Sequence, residues 1–350
     1  MSEFRIEAVR LGPIVKHENA DSLSITQVMD GYPCIVKTGD FAEGEIAVYV
    51  PVDALVPTSR PKFSFLAKDS NSDGFARIKA RRLRGVFSMG LLVKAPRGVK
   101  EGDDCQKLLG VEKYLPPAER EPVERLAKAK WPWWRVGLAR ILPWWFAAKR
   151  KAPGPSVPHY DIEGFRKYKH LFSEGEPVCV TEKIHGAQFR AVFTGGKLHI
   201  GSRTVWGRSP ESDWGIVAKR YDLATKLREF PDMVLFGEIY GNVQDLKYGK
   251  PNSVDLVCFD MMNLKTRVFL DWPDLVAACS TLGVPVVPEL YRGAWSPALI
   301  EMSEGKTTMP EANHCREGIV IKPLCDRVDL HFGRVILKLA GEGYLTRKTA

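Results

Sequence analysis

A β-rich run broken by a glycine reads Val178-Cys-Val-Thr-Glu-Lys-Ile-His-Gly-Ala-Gln-Phe-Arg190. Its lysine is Lys183, and four more charged residues farther along the chain open or close apolar runs of their own: Glu238, Glu317, Lys322 and Lys338. Burying such charges is costly unless they pair with one another, with a metal or with a phosphate. Five charges on apolar strands therefore predict one shared pocket for a polyanion and a metal ion.

The order of the motifs around these charges resembles that of the covalent nucleotidyltransferases, a superfamily of RNA ligases, DNA ligases and messenger-RNA capping enzymes. The series runs Lys-x-His-Gly, Gly-Ser-Arg, Phe-Gly-Glu-Ile-Tyr-Gly, Cys-Phe-Asp, Glu-Gly-Ile-Val-Ile-Lys and Ile-Leu-Lys, over roughly residues 159 to 348. His185, where aspartate is commoner, and the position of the series in the C-terminal half resemble ATP-dependent RNA ligases with an N-terminal OB domain. Six motifs in order are far more specific than one.

Length and charge agree with this resemblance. A chain of 350 residues is long enough for two domains with separate cores. Lysine and arginine exceed aspartate and glutamate by nine, which suits a polyphosphate or nucleic-acid partner. The alternative is that nine charges spread over a surface carry little information.

Cysteine usage and the N-terminus indicate a cytoplasmic protein. The seven cysteines include no Cys-x-x-Cys pair and no framework spacing, so we expect reduced thiols. The first residues, Met-Ser-Glu-Phe-Arg, have no apolar core of the signal-peptide type.

Residues 1–115 read as a small β-barrel. Short β-rich runs are separated by turn residues and are predicted as strands over Arg5–Leu11, Ser24–Met29, Tyr32–Lys37, Ile46–Pro51, Ile78–Leu83 and Gly90–Lys94. The run from His17 to Leu23 resembles the opening of OB-type tRNA-binding domains. We therefore expect an OB-fold domain that binds nucleic acid.

Residues 116–158 differ abruptly in composition. Two tryptophan groups, Trp131-Pro-Trp133-Trp134 and Trp144-Trp145, lie among basic residues from Arg135 to Lys151, and three prolines close the segment. Its apolar runs are too short for the ~20 residues of a spanning helix. Three interpretations stay open: a linker whose tryptophans dock on a neighbouring domain, an arm that stacks on bases, or a peripheral membrane helix.

Residues 159–350 predict the catalytic domain. Strands dominate, with helices expected over Asp213–Glu229 and Asp271–Leu282, where apolar residues recur at helical spacing. The predicted fold class is thus α+β: an OB-type β-barrel followed by a nucleotidyltransferase domain of packed antiparallel sheets with flanking helices. No Walker-type loop is present, so a nucleotide must be bound by charged strands.

Lys183 is the candidate nucleophile, forming lysyl-AMP. A lysine that attacks the α-phosphorus of ATP must be neutral, whereas a free lysine titrates near pH ~10.4. A second lysine, Lys338 or Lys322, together with a divalent metal would favour loss of the proton by like-charge repulsion. Gly186 would let the phosphate approach the backbone.

Glu317 and Glu238 are the metal candidates. Mg²⁺ keeps several waters and is commonly held by one or two carboxylates plus phosphates, so isolated acids on separate strands suffice. The resemblance supports the assignment of Glu317 as a metal ligand more strongly than that of Glu238. For Glu238 it also offers the alternative role of holding the ribose hydroxyl. The alternative for both is a pair of buried structural acids.

The resemblance also assigns binding roles. Phe259 matches the aromatic that stacks on adenine, although a core phenylalanine fits the local sequence nearly as well. Glu182 matches the position that reads the adenine edge, and Arg203 the arginine that binds a phosphate or terminal nucleotide. Lys322 and Lys338 would clamp the α-phosphate.

Two features depart from the family pattern. The last motif often carries two lysines, and here Ile336 replaces the first, with Arg347 and Lys348 as possible substitutes. His185 replaces the commoner aspartate, which weakens a DNA-ligase assignment more than ligase chemistry itself. The histidines His159, His185 and His199 are not spaced in the sequence like the ligands of a metal site.

The expected function is that of an ATP-dependent RNA ligase that joins 3′-hydroxyl and 5′-phosphate ends in RNA repair. Its cofactors would be ATP and Mg²⁺ or Mn²⁺, its partner nicked or broken RNA, and its state a monomer without stable membrane association. The alternatives are a capping-type guanylyltransferase, a DNA ligase, or a non-catalytic OB-fold RNA-binding protein.

Overall fold

The computed structural model describes residues 4–29, 31–114 and 154–347. Of the tryptophan- and proline-rich segment predicted over 116–158, only the last five residues fall within these ranges. Lys348 also lies outside them. The three interpretations of that segment therefore stay predictions.

The N-terminal part, residues 4–114, consists of short antiparallel sheets around two adjoining apolar cores. The described strands are β1 Glu7–Arg10, β2 Ile14–Lys16, β3 Leu23–Val28, β4 Tyr32–Lys37, β5 Ile46–Val50, β6 Ala54–Pro57, β7 Phe75–Arg77, β8 Arg81–Leu83, β9 Val86–Ser88, β10 Leu91–Lys94 and β11 Glu112–Lys113. A 3-10 helix spans Pro61–Asp69, and α1 spans Gln106–Leu109. The strand orders are β1-β5-β10, β2-β3-β4 and β11-β6-β7, with β8 paired to β9.

Five of the six predicted strands of this part are confirmed within one or two residues at each end. The prediction of one strand over Ile78–Leu83 was wrong. β7 ends at Arg77, Ile78 and Ala80 are buried in the core between strands, and β8 begins at Arg81. Apolar residues at alternate positions match a strand, but here they belong to a buried connection.

The C-terminal part, residues 154–347, is built on two antiparallel sheets. Its strands are β12 Glu163–Gly164, β13 Pro177–Lys183, β14 Ala187–Thr194, β15 Lys197–Gly201, β16 Met233–Gly241, β17 Val254–Asn263, β18 Glu289–Ala294, β19 Gly318–Pro323, β20 Val328–Asp329, β21 Gly333–Arg334 and β22 Leu337–Ala340. The first sheet has the order β12-β22-β19-β13-β18, where only β12 runs parallel to its neighbour. The second has the order β15-β14-β16-β17, and β20 pairs with β21.

Helices flank these sheets. They are α2 Phe165–Tyr168, α3 Asp213–Arg220, α4 Leu223–Lys226, α5 Trp272–Leu282 and α6 Glu342–Leu345, with 3-10 helices over Lys169–Leu171 and Pro297–Ser303. The predicted helix over Asp271–Leu282 is confirmed, with Asp271 as its N-cap and Gly283 ending it at φ +62°. The single helix predicted over Asp213–Glu229 is instead two helices, because Asp222 adopts φ +48° between them. No helix in the described ranges has the length and apolar character needed to cross a bilayer.

The faces of the first sheet differ in character. Val178, Val180, Ile319, Ile321 and Leu337 pack in an apolar cluster on one face. Because side chains alternate along a strand, the residues between them point the other way. These include Lys183, Lys322 and Lys338. The sheet therefore collects the three motif lysines on one face.

The second sheet is also two-sided. One face packs Phe189 and Leu235 against Trp214 of α3 and Leu275 of α5. The other carries Val234 and Phe236 of β16, and the same alternation places Glu238 there. The motif acid thus lies on the face that is turned away from the helices.

The two parts of the chain contact each other directly. Arg82 of β8 pairs with Glu342 of α6, with Nη2 2.8 Å from Oε2, and a Cβ added to Gly31 would lie 2.6 Å from the carbonyl oxygen of Arg166. The N-terminal sheets therefore reach the last helix of the catalytic part.

A buried ionic cluster joins the two sheets. Asp260 is inaccessible to solvent, and its Oδ2 accepts a hydrogen bond from the Tyr160 hydroxyl at 2.6 Å and lies 2.7 Å from Arg334 Nη2. Lys322 Nζ lies 3.6 Å from Oδ1. Burial raises the pKa of Asp260, but the charges of Arg334 and Lys322 outweigh it and hold the pKa below its ordinary value.

We expect Asp260→Ala to lower the free energy of unfolding by about 3–5 kcal/mol, because it leaves the buried Lys322 without its carboxylate and removes one of the two carboxylates that pair with Arg334. Urea denaturation measures the change. Asp40→Ala, which removes an exposed acid from the N-terminal part, serves as the control and should shift the midpoint little. Equal, small losses in both variants would show that the cluster does not stabilise the fold.

Candidate active site

Lys183 and Glu317 form an ion pair on the lysine-bearing face of the first sheet. Lys183 ends β13 opposite Gly318 of β19, so the preceding residue, Glu317, is brought beside it. Nζ lies 2.6 Å from Oε1. The Glu317 side chain is 9% exposed and that of Lys183 28%. The predicted nucleophile and the predicted metal ligand are therefore neighbours, with the lysine reachable from solvent.

Gly186 is needed for packing. A Cβ at this position would overlap the carbonyl oxygen of Ile239 and lie 3.1 Å from Cγ of Glu238. The close approach of β16, rather than the approach of a phosphate, therefore accounts for this glycine. The same contact places the Glu238 side chain against the turn that follows Lys183.

Lys338 lies beside this ion pair. Solvent reaches its side chain although protein surrounds it closely, as on the floor of an open cleft. Burial lowers the pKa of Lys338 to about 8, and the positive charge of Lys183 acts in the same direction while Glu317 opposes it. Arg203, paired with Asp161, lies close enough to contribute as well. Lys183, Glu317, Lys338 and Arg203 thus form one electrostatic group.

Lys322 does not face solvent. Its side chain is 5% exposed, its Nζ pairs with Asp260, and the ammonium lies 4.9 Å from the centroid of the Trp272 ring. The predicted part of Lys322 in an α-phosphate clamp is not supported by this arrangement, because its charge already balances a buried carboxylate. Sequence spacing could not show this, since Asp260 is distant in the chain.

Glu182 is bound by other residues of the protein. Its carboxylate is buried and accepts hydrogen bonds from the Thr307 hydroxyl at 2.5 Å and from the Thr308 backbone N–H and hydroxyl at 2.7 Å. Arg316 Nε lies 3.5 Å away. Alternation along β13 turns Glu182 to the face opposite Lys183. The carboxylate is thus engaged within the fold, and its role in reading the adenine edge stays a prediction.

Phe259 lies where the two sheets meet. It is the extra residue at a register shift between β16 and β17, its carbonyl oxygen is 3.5 Å from Lys322 Nζ, and its ring centroid is 4.9 Å from that of Tyr160. The ring is half-buried against the cluster around Phe236. Both the core role and the stacking role remain compatible with this position, and stacking on adenine stays a prediction.

His185 is held by residues that the sequence did not single out. Its Nε2 lies 2.6 Å from Asp245 Oδ1 and its Nδ1 3.1 Å from the Tyr344 hydroxyl. Burial lowers the pKa of His185, against the opposing charges of Glu317 and Asp245, so the ring is neutral at pH 7. A neutral ring with a carboxylate at Nε2 donates from Nε2 and accepts at Nδ1 from the tyrosine hydroxyl.

Arg347 belongs to the same arrangement. Its Nη2 lies 2.8 Å from Asp245 Oδ2, and its guanidinium stacks 3.6 Å from the centroid of the Tyr344 ring. Arg347 therefore does not replace the lysine missing at Ile336. The sequence did not reveal that these residues surround His185, because they are far apart in the chain. Asp245 follows β16, and Tyr344 lies in α6.

Comparison with known proteins agrees with this geometry. The family model described as RNA ligase matches residues 176–340, and a model of an OB-fold domain matches residues 5–95. Residues 176–340 of this chain thus belong to the RNA ligase family. The N-terminal OB fold and the α+β class predicted from sequence are confirmed. A search of curated proteins found no significant match.

Several solved structures share the fold over almost the whole chain. A lysine-to-alanine mutant of Naegleria gruberi RNA ligase with ATP and Mn superposes with a TM-score of 0.77 at 20% identity, covering 98% of both chains. The Naegleria enzyme with PPi gives 0.75 at 20% identity, with 97% of both chains covered. The match includes the N-terminal domain, so the order of the two domains is shared.

The residues of the ligase fit a divalent metal at Glu317. Its Oε2 is buried without a hydrogen-bond partner and lies 3.8 Å from His185 Nδ1, which already accepts from Tyr344. Within the described ranges no three His, Cys, Asp or Glu side chains are grouped as metal ligands. A hard cation here would rely on one or two carboxylates, water and phosphate oxygens.

We expect Tyr344→Phe to lower the rate of self-adenylylation of the ligase about fivefold, the equivalent of ~1 kcal/mol, because the hydroxyl fixes Nδ1 of His185. Single-turnover transfer of label from α-labelled ATP measures it. Tyr291→Phe, which removes a hydroxyl bonded to the carbonyl oxygen of Ala294, is the matched control. Identical rates in both variants and the wild type would exclude a role for the Tyr344 hydroxyl.

Proposed function

We propose that this RNA ligase uses ATP to seal RNA strands by way of a Lys183–AMP intermediate. The observation that carries the proposal is the ion pair between Lys183 and Glu317 on the sheet face that also presents Lys338. Support comes from the shared fold of the Naegleria RNA ligase, whose structures hold ATP with Mn or AMP with Mn.

In the first step Lys183 Nζ attacks the α-phosphorus of ATP, the bond to pyrophosphate breaks, and the amine proton is lost. Lys338 and Arg203 hold the phosphates, since the positive charges of Lys183 and Arg203 both act on Lys338 and the three cations therefore lie near one another. Glu238 lies against the turn after Lys183, where it holds the ribose or the metal. Phe259 stacks on adenine.

Mg²⁺ or Mn²⁺ bound through Glu317 would stabilise the charge that develops on the phosphate oxygens. Glu317 Oε1 holds the amine of Lys183 in place before ATP binds, and Oε2 is left open by the Tyr344–His185 hydrogen bond. The protein therefore supplies position and charge, which are the main contributions that phosphoryl transfer requires of an enzyme.

In the second step AMP passes from Lys183 to the 5′-phosphate of RNA. In the third, the 3′-hydroxyl of the neighbouring strand attacks that phosphate, AMP leaves, and the strand is sealed. We propose repair of nicked or broken RNA as the physiological use, by a cytoplasmic monomer without stable membrane association. Labelling with ATP in preference to GTP separates this reaction from that of a capping guanylyltransferase.

We propose that the N-terminal domain, residues 1–115, holds the RNA while residues 159–350 carry the chemistry. A groove of about 520 Å³ on this domain is bordered by Lys37, Lys62 and Lys94 and by Phe65, whose side chain is 64% exposed. Lysines contact phosphates and exposed rings stack on bases, which is the usual composition of single-strand binding surfaces.

Lys183→Arg and Lys183→Ala should both abolish transfer of label from α-labelled ATP to the protein. Arginine stays protonated and cannot attack, so retention of charge does not rescue the reaction. Both variants should still bind RNA. Lys197→Arg, an exposed lysine on β15, is the control. Labelling of Lys183→Arg at the wild-type level would exclude Lys183 as the attacking group.

Glu317→Gln should lower both self-adenylylation and the sealing of pre-adenylylated RNA by roughly a hundredfold, since the carboxylate serves every step through the metal. Titration of each reaction with Mn²⁺ measures this. Glu229→Gln, an exposed acid, controls for the substitution itself. Full sealing by Glu317→Gln at all Mn²⁺ concentrations would remove Glu317 from the metal site.

A further inference from the structure

Arg190 is a buried arginine without an opposite charge. It lies in β14, its relative exposure is 4%, and its Nε is buried without a hydrogen-bond partner within the described part of the chain. Its guanidinium stacks on Trp206, with Cζ 4.1 Å from the ring centroid. Burial lowers the pKa of Arg190 to about 10, which leaves it charged at pH 7.

Other buried arginines of this chain have polar partners. Arg316 donates to the carbonyl oxygen of Met302 at 2.5 Å, and Arg334 pairs with Asp260 and Asp326. A buried charge without such partners is costly and therefore marks a position kept for another purpose. Trp206 covers a face of the Arg190 guanidinium, but the N–H donors lie in its plane and are not satisfied by stacking.

The register of the second sheet places Arg190 between two parts of the site. Arg190 pairs with Phe236 of β16, and Gln188, two residues before it, pairs with Glu238. On the other side Arg190 pairs with Gly201, two residues before Arg203. Two residues along a strand span about 7 Å. Arg190 therefore lies one row from Glu238 and adjoins the segment that carries Arg203.

Alternation also sets the direction of the side chain. Phe189 and Ala191 pack toward the helices, whereas Val192 lies in the cluster with Phe236. Arg190 thus shares the face of Glu238, on the side of the sheet away from the helices. Its donors are therefore presented to the side of the second sheet that carries Glu238.

We propose that Arg190, held in plane by Trp206, forms a phosphate-binding subsite beside Arg203. The proposal extends the proposed function, since an RNA ligase handles phosphate groups of both ATP and RNA. A guanidinium with its donors unfilled is well suited to bind phosphate oxygens in pairs. The phosphate belongs either to the nucleotide or to the RNA end.

The test uses Arg190→Met and Arg190→Lys in the full-length protein. Arg228→Met is the control, because Arg228 lies over Phe193 of the same strand, on the opposite face, and is exposed. Without ligand, Arg190→Met should melt at or above the wild-type temperature, since methionine removes an unpaired buried charge. A structural arginine would instead give a clear loss of Tm.

Two kinetic arms identify the source of the phosphate. Loss of a charged hydrogen-bonding group should raise one KM roughly tenfold in Arg190→Met, with Arg190→Lys intermediate. A rise in the KM for ATP during self-adenylylation assigns the subsite to the nucleotide. A rise in the KM for pre-adenylylated nicked RNA assigns it to RNA. Unchanged values in both arms would overturn the proposal.

Thermal unfolding in the presence of pyrophosphate tests the phosphate-binding subsite independently of the proposed catalytic function. If the subsite binds phosphate, pyrophosphate should raise the Tm of the wild type and of Arg228→Met more than that of Arg190→Met, whether or not the protein is active. Equal shifts in all three proteins would refute the subsite. Absence of adenylylation with unequal shifts would refute the proposed function alone.

Discussion

The ion pair between Lys183 and Glu317 is the interaction on which the site depends. It exists because β13 and β19 pair in a register that sets Lys183 opposite Gly318. A Cβ at Gly318 would overlap the carbonyl oxygen of Leu339 in the next strand, so the close spacing of three strands is built into the sequence. The pair keeps a reactive amine and a carboxylate together on one face, while the opposite face fills the core.

The charged residues that hold the fold together differ from those of the candidate site in how their charges are balanced. Asp260 forms ion pairs with Arg334 and Lys322, and Glu182 accepts hydrogen bonds from its threonines, so these charges have partners within the protein. Glu317 Oε2 and Arg190 keep polar atoms without partners in the described residues. Such groups, one beside Lys183 of the first sheet and one in β14 of the second, are what a ligand rich in phosphate and metal requires, because its charges complete the balance.

The sequence predicted the fold class, the order of the domains and one shared pocket for the charges that include Lys183 and Glu317, since these follow from the order of the motifs and from charges set among apolar strand residues. It did not show that Glu182 is bound by Thr307 and Thr308, because the motif records neighbours in the chain and not the face to which a side chain turns. It missed Asp245 and Tyr344, which reach His185 from a loop and from α6. Such contacts depend on tertiary packing, which local patterns do not encode.

The central claim is that Lys183 carries AMP. Incubation of the full-length protein with ATP and Mn²⁺, followed by protease digestion and mass spectrometry, tests it directly by locating the nucleotide on a peptide. The account predicts an AMP adduct on the side chain of Lys183, in the peptide that contains Glu182 and His185. An adduct confined to another residue, or adduct-free protein that still seals RNA with ATP, would contradict it.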